Sequence, residues 1–167
     1  MNALLRFDFD VNKETNSVHI VREFAAGRNL VWKAFTTPEI LDQWWAPKPW
    51  KTETQSMDFR EGGRWVYCMV GPEGERHWCL NDYYTIDPEV SYSGLDAFCN
   101  EDVVINPALP RSLWKNHFED KEGHTLVNIE VKYEKLSELE AIIQMGFKEG
   151  FTMALENLDG LLAEGLQ

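Results

Sequence analysis

From Leu139 to Leu162, residues such as Ile142, Phe147, Phe151, Leu155, Leu158 and Leu162 recur at the three- and four-residue spacing of one helix face. Between Thr52 and Glu134 the pattern is different: apolar and polar side chains alternate every second residue, as in strands with one face buried. A long one-faced helix and a set of one-faced strands each leave an apolar surface that only the other can cover. The expected class is therefore α+β, an antiparallel sheet bent around a long C-terminal helix, with residues 1–167 forming one domain.

The remaining elements follow from local signals. Val18 to Phe24 reads as a strand, paired with an earlier one in which Leu5, Phe7 and Phe9 alternate with Arg6 and Asp8. Two short helices come next, the first over about 28–35. The second opens at Thr37-Pro38-Glu39, where Thr caps, Pro fits the first turn and Glu faces the helix dipole. Pro47 and Pro49 end it near Trp44-Trp45. Gly71-Pro72-Glu73-Gly74 is a hairpin turn. With Pro72-Glu73 as its loop, Tyr67 falls opposite Trp78 and Trp65 opposite Leu80, all on one face, and Cys68 opposite His77. Strands over about 90–98, 112–119 and 125–134 follow, with a loop over 100–110. Ser137-Glu138-Leu139-Glu140 is read as the capping box of the last helix. Within that helix Gly146, Gly150 and Ala154 form a small-residue line. It serves either close packing on the sheet or room for a ligand.

The net charge of −12 and the pI near 4.7 make nucleic acid and anionic membranes poor partners. No segment is apolar enough to span a bilayer, and the N-terminus lacks the pattern of a signal peptide. Cys68, Cys79 and Cys99 are an odd number without CxxC spacing, as expected of a reducing, cytoplasmic setting rather than a disulfide framework.

Several segments, taken in order, resemble one family. They are Arg22-Glu23-Phe24, Val31 to Thr36, Pro38-Glu39, Trp44-Trp45-Ala46-Pro47, Asp58 to Trp65, Met69 to Gly74, and Met145 to Phe151 leading to Leu155-Glu156-Asn157-Leu158. The set is similar to homologues of the activator of the heat-shock protein 90 ATPase, within the START-like or SRPBCC superfamily. The resemblance implies a helix-grip fold, in which a curved sheet grips the C-terminal helix around a cavity. It also implies departures in this chain: a short connection over 84–89, a longer loop from Asp96 to Pro110, and no room for the chaperone-binding N-terminal domain of the co-chaperone itself.

Seven Trp, nine Phe and five Tyr supply rings for a core or a cavity wall. The candidate ligand-binding residues are Trp65, Tyr67, Trp78, Leu80, Tyr84, Trp114 and Phe118 on the strands, and Gly146, Phe147, Gly150 and Phe151 on the helix. Trp44 and Trp45 are either a rim over the opening or a plug between helix and sheet. The expected function is binding of a small apolar molecule of lipid-like, aromatic or polyketide-like character. Two alternatives stay open. One is a cyclase- or hydrolase-type enzyme in the same cavity, with Asp82, Tyr84 and Asp58 as the polar groups to inspect. The other is an interaction protein modulating a chaperone ATPase. No catalytic residue is assigned and no cofactor is expected. His77, Cys79 and Cys68 lack a fourth ligand, so no metal is expected either, and this trio is placed on the face opposite Trp65 and Tyr67. A homodimer is left open.

Overall fold

The protein was analysed as a computed structural model that describes residues 4–165. Strands β1 (Phe7–Asn12) and β2 (Ser17–Phe24) form a hairpin, followed by helices α1 (Arg28–Thr36) and α2 (Pro38–Trp44). Six strands come next: β3 (Lys51–Met57), β4 (Arg64–Val70), β5 (Arg76–Asp87), β6 (Ser91–Cys99), β7 (Leu113–Lys121) and β8 (His124–Lys132). Helices α3 (Leu136–Gln144) and α4 (Phe147–Glu164) end the chain. The strands make one antiparallel sheet in the order β1-β2-β8-β7-β6-β5-β4-β3, with β1 and β3 at its edges. The sheet curves, and α4 lies in its concave face: this is the helix-grip α+β fold that the sequence leads one to expect. Among the described residues no helix is long and apolar enough to cross a membrane.

Alternation along the strands decides what faces α4. Val18, Ile20 and Phe24 of β2 and Val127, Ile129 and Val131 of β8 are fully buried against Leu155 and Leu158 in one core. Arg22 points into that core as well. Its guanidinium pairs with Asp159 of α4 and lies 4.9 Å over the Phe24 ring. A partly buried ion pair adds little net stability, but it helps to fix how the helix is seated, because Asp159 is the carboxylate paired with this guanidinium.

α1 and α2 carry the chain from β2 to the opposite edge and fill one end of the concavity. Trp44 is completely buried, and its indole N–H donates to the Ala34 carbonyl at 3.0 Å. Around it Trp32, Phe35, Phe59, Tyr83, Tyr92 and Phe118 pack edge-on or stacked at centroid distances of 4.8–6.2 Å. Trp44 and Phe118 therefore belong to a solid plug. For Phe118 this corrects the expectation that it lines a cavity, and for Trp44 it selects the plug over the rim.

Three local expectations change. First, the β4–β5 loop is one residue longer than expected, with Gly71 paired to Glu75 and Pro72-Glu73-Gly74 forming the turn. Gly74 has φ +88, the left-handed residue that closes a three-residue hairpin loop. The register becomes Cys68↔Trp78, Tyr67↔Cys79, Val66↔Leu80 and Trp65↔Asn81, with Met69 rather than Cys68 opposite His77. A one-residue slip exchanges the faces of a strand. Trp78 and Leu80 consequently point to the convex side, where Leu80, Val66 and Ala97 form a small second core under Trp78, Cys99, Val103 and Ile105. The long loop after β6 folds back to cover them.

Second, the last helix is two helices. Gly146 takes φ +93 between α3 and α4, a conformation that L side chains rarely adopt. Gly146 is thus a break in the helix, whereas Gly150 is helical. Third, α3 starts at Leu136, not after Ser137. Glu138 reaches back to the amide of Lys135 at 3.2 Å, so the acidic residue at this helix start is Glu138 and the expected box of Ser137 and Glu140 does not form. Thr37 does occupy the cap position of α2, though through its carbonyl rather than its hydroxyl.

The two glycines should respond oppositely to alanine. Gly146→Ala forces a left-handed alanine and is expected to destabilise by about 1–2 kcal/mol. At Gly150 a Cβ would meet only Pro47 Cγ, at 3.8 Å. Gly150→Ala is therefore expected to stabilise by up to about 1 kcal/mol through helix propensity. Urea denaturation of both variants checks this, and equal signs would contradict the break.

A carboxylate-bearing aromatic cavity between sheet and helix

Beyond the plug the concave face is not filled. A cavity of about 330 Å³ lies between β4–β7, the Trp45–Pro47 segment and the α3–α4 junction. It meets solvent at the helix break, where the lining residue Met145 is 69% exposed. Gly146 and Gly150 line it too, and the 3.8 Å clearance at Gly150 shows that close packing on the sheet does not require glycine there.

Two aromatic walls face each other. On one side Trp65 and Tyr67 stack at 4.0 Å, with alternate residues of β4 pointing inward. On the other, Trp114 of β7 meets Phe147 and Phe151 at 6.0 and 5.5 Å, and the two Phe rings stack at 5.6 Å one helical turn apart. Trp45 bridges the walls, with its ring 5.7 Å from Trp65, 5.9 Å from Trp114 and 5.8 Å from Phe151. Hydrogen bonds hold these rings in place. Trp45 Nε1 donates to the Tyr67 hydroxyl at 3.2 Å. Trp65 Nε1 donates to Thr54 Oγ1 at 3.1 Å, and Thr54 in turn donates to Asp42 of α2 through both its amide and its hydroxyl.

Trp45, Trp65, Tyr67, Trp114, Gly146, Phe147, Gly150 and Phe151 thus surround one space. Besides Trp44, Phe118, Trp78 and Leu80, one further candidate lies elsewhere. Tyr84 is half-exposed and borders a separate groove on the outside of the sheet. It follows the concave residue Tyr83, so alternation turns it outward.

The polar end of the cavity is built by residues the sequence reading did not select. Asp96 of β6 sits opposite Asn81 of β5. It lies deep within the protein but keeps part of its surface open to the cavity. Asp96 Oδ1 accepts from the Ser112 amide at 2.7 Å and the Ser112 hydroxyl at 2.8 Å, and Oδ2 accepts from Trp114 Nε1 at 3.1 Å. Burial outweighs these donors and raises the Asp96 carboxyl above its ordinary range. Asn81 and Asn116 also line the space, and the Oδ1 of each has no hydrogen-bond partner. Cys79, beside Tyr67, has its thiol pushed up by burial to about 12, so it stays protonated and unreactive at neutral pH.

The earlier polar candidates face solvent or the convex side. Asp58 pairs with Arg60 at the surface. Asp82 lies between Arg64 and Arg111 at 2.6 and 2.9 Å. Burial pulls its carboxyl up, but the two arginines outweigh burial and hold it below its ordinary value. Cys79 faces the cavity on the same side as Trp65 and Tyr67, not on the opposite face as expected. Cys68 points the other way, so Cys79 and His77 do not converge with it. Among the described residues no three His, Cys, Asp or Glu side chains are grouped as metal ligands would be.

The family model described as Activator of Hsp90 ATPase homolog 1-like protein matches residues 25–163. Solved structures agree over nearly the whole chain. A protein from Mycobacterium smegmatis is 30% identical, with 95% of this chain and 97% of that one aligned at a TM-score of 0.87. A protein from Arthrobacter aurescens is 28% identical, with 96% and 93% aligned at a TM-score of 0.89. The AHSA1 protein from Silicibacter pomeroyi, at 21% identity, 88% and 97% aligned and a TM-score of 0.69, shares the fold. No curated protein matches the chain.

Because the folded state holds the Asp96 carboxyl above 3.8, it binds that proton more tightly than the unfolded chain does. The cost of burying the ionised group is absent below 3.8 and grows as pH rises through the raised value. Asp96→Asn cannot ionise, while every other carboxylate is common to both proteins. The urea midpoint of the wild type is therefore expected to fall relative to that of Asp96→Asn between acidic and neutral pH. A gap that stays constant with pH would show that Asp96 titrates normally.

Proposed function

The chain belongs to the family of Activator of Hsp90 ATPase homolog 1-like proteins, and within it we propose that this member is a ligand-binding module holding one small, largely apolar molecule in the cavity. The observation that carries the reading is the cavity itself: about 330 Å³ left open in a domain whose other end is packed solid with rings. Interiors close up to the density of organic crystals, and open volume lined by apolar atoms forfeits dispersion contacts. An occupant would restore them. Apolar walls with a few converging polar groups, at this volume, are also the usual composition of a small-molecule site. Homology to an activator of the Hsp90 ATPase comes with the family, whereas the cavity is built from this chain's own side chains.

Asp96 favours a second reading, a cyclase- or hydrolase-type enzyme in the same space. A carboxyl kept protonated in an apolar site can give up a proton to a bound molecule. Recovery of a bound compound unchanged supports binding. Conversion that disappears in Asp96→Asn supports the enzyme.

Native mass spectrometry of the purified protein is expected to reveal a co-purifying apolar compound, or binding of an added neutral aromatic probe such as naphthylethanol. Gly150→Leu projects a side chain into the void and is expected to weaken that binding at least about tenfold, a change of about 1.4 kcal/mol, while leaving the melting temperature at or above that of the wild type. A Gly150→Leu protein that binds as well as the wild type would sink the proposal.

A further inference from the structure

Among the described residues Asp96 is the one carboxylate in the cavity lining, and no Lys, Arg or His accompanies it there. The nearest cation is Arg111, which donates to the Asp96 main-chain carbonyl at 3.0 Å. Its guanidinium is otherwise engaged with Asp82, on the convex side. The other groups around the carboxyl are neutral: Tyr67 from β4, Cys79 and Asn81 from β5, Ser112 just before β7, Trp114 in β7 and Tyr133 after β8. Trp45, Trp65, Tyr67, Trp114 and Phe151 add the negative faces of their rings. The buried amide oxygens of Asn81 and Asn116 are further acceptors without a donor. The whole surface, at net charge −12, has the same sign. At every scale, from the carboxyl to the surface, this cavity lacks positive charge.

Building on the reading of the cavity as a small-molecule site, we propose that its ligand is a cationic amine: an ammonium group seated on Asp96, with an aromatic or aliphatic body lying between the Trp45–Trp65 and Trp114–Phe151 walls.

The chemistry follows from complementarity. Asp96 Oδ2 receives only the Trp114 indole N–H, and that donor is shared with Ser112 Oγ at 3.0 Å. Room for a charge-assisted bond therefore remains on this oxygen. The Trp114 indole turns its N–H edge to Asp96, so the carboxylate holds the ammonium, while the rings of Trp45 and Trp65 flank the body of the ligand. The ammonium also counteracts the effect of burial on the Asp96 carboxyl, because an opposite charge close by favours the ionised form. Ligands with carboxylate or phosphate heads face the reverse: a buried acid, ring faces of like sign and no basic side chain to neutralise them. The site thus selects against fatty acids and phospholipids, which a purely apolar pocket would accept. Amine binding is coupled to ionisation of Asp96, so affinity rises with pH until the amine itself begins to lose its proton.

Calorimetry with three probes of one shape tests the idea: naphthylethylamine, naphthylethanol and naphthylacetate. For the wild type at neutral pH the amine is expected to bind at least about tenfold tighter than the alcohol, and the acid not measurably. Asp96→Asn is expected to erase the preference for amine over alcohol while keeping alcohol binding. If that variant does not fold, the wild type alone decides, because amine affinity must fall on acidification whereas alcohol affinity does not. Alcohol binding equal to or tighter than amine binding, or tight binding of the acid, overturns the charge assignment and leaves the apolar cavity reading intact. Failure of all three probes overturns both.

Discussion

One helix cannot fill a sheet of eight strands, and the rest of the structure follows from that mismatch. Eight strands spaced about 4.8 Å apart extend about 34 Å around the curve, whereas a helix with its side chains is about 10–12 Å across. The concavity has to be closed by something else or left partly open. On the β1-β2-β8 side α4 closes it, seated by Arg22 and Asp159. At one end α1 and α2 deliver Phe35 and Trp44 into the ring plug. What remains, under β4–β7, is the cavity.

The Gly146 break keeps that remainder open to solvent. A continuous helix from α3 through α4 would carry side chains straight past the mouth. With Gly146 in the left-handed region the axis is interrupted at Met145, and the first turn of α4 brings Phe147 and Phe151 round to face Trp114. Asn157 Nδ2 donates to the Ala46 carbonyl at 3.1 Å, so the same helix also holds the segment that presents Trp45. The position of the bridging indole therefore depends on α4 as much as on α2.

The fold was legible because periodicity survives small errors in boundaries. Alternation in β4 to β8 and the helical spacing after Leu136 identify the elements, and the ordered matches from Arg22 to Leu158 identify their arrangement. Face assignment was less secure, because it depends on loop length to the residue. Reading Pro72-Glu73 as the whole turn, without Gly74, was enough to send Trp78 and Leu80 to the wrong side. A glycine at the third turn position was the available signal. Asp96 was missed for a related reason. It falls inside the strand read over 90–98, but also at the start of the longer loop that the family resemblance implies, and the two-residue alternation of Tyr92, Gly94, Asp96 and Phe98 was the signal for its face. Trp44 and Trp45 could not be separated from sequence at all, since adjacent residues on a short helix diverge only once the packing partner is known.

A sequence that specifies one structure normally makes its local choices agree with the global fold, and the exceptions gather where something other than stability is being served. Here the exceptions sit together. A glycine at φ +93, a helical glycine with room for a methyl group, a carboxyl buried without a cation and two amide oxygens without donors all border the same space. The Gly146 break is fixed by its backbone, whereas the others each disfavour the empty folded state and could be removed by an ordinary substitution: an alanine at 150, a leucine at 96, a valine at 81 or 116. At the other end of the concavity the fully buried Trp44 has its indole N–H paired with the Ala34 carbonyl. Scattered over the molecule these features would be unrelated blemishes. Concentrated on one lining, they are what a site preorganised for an occupant leaves exposed when the occupant is absent.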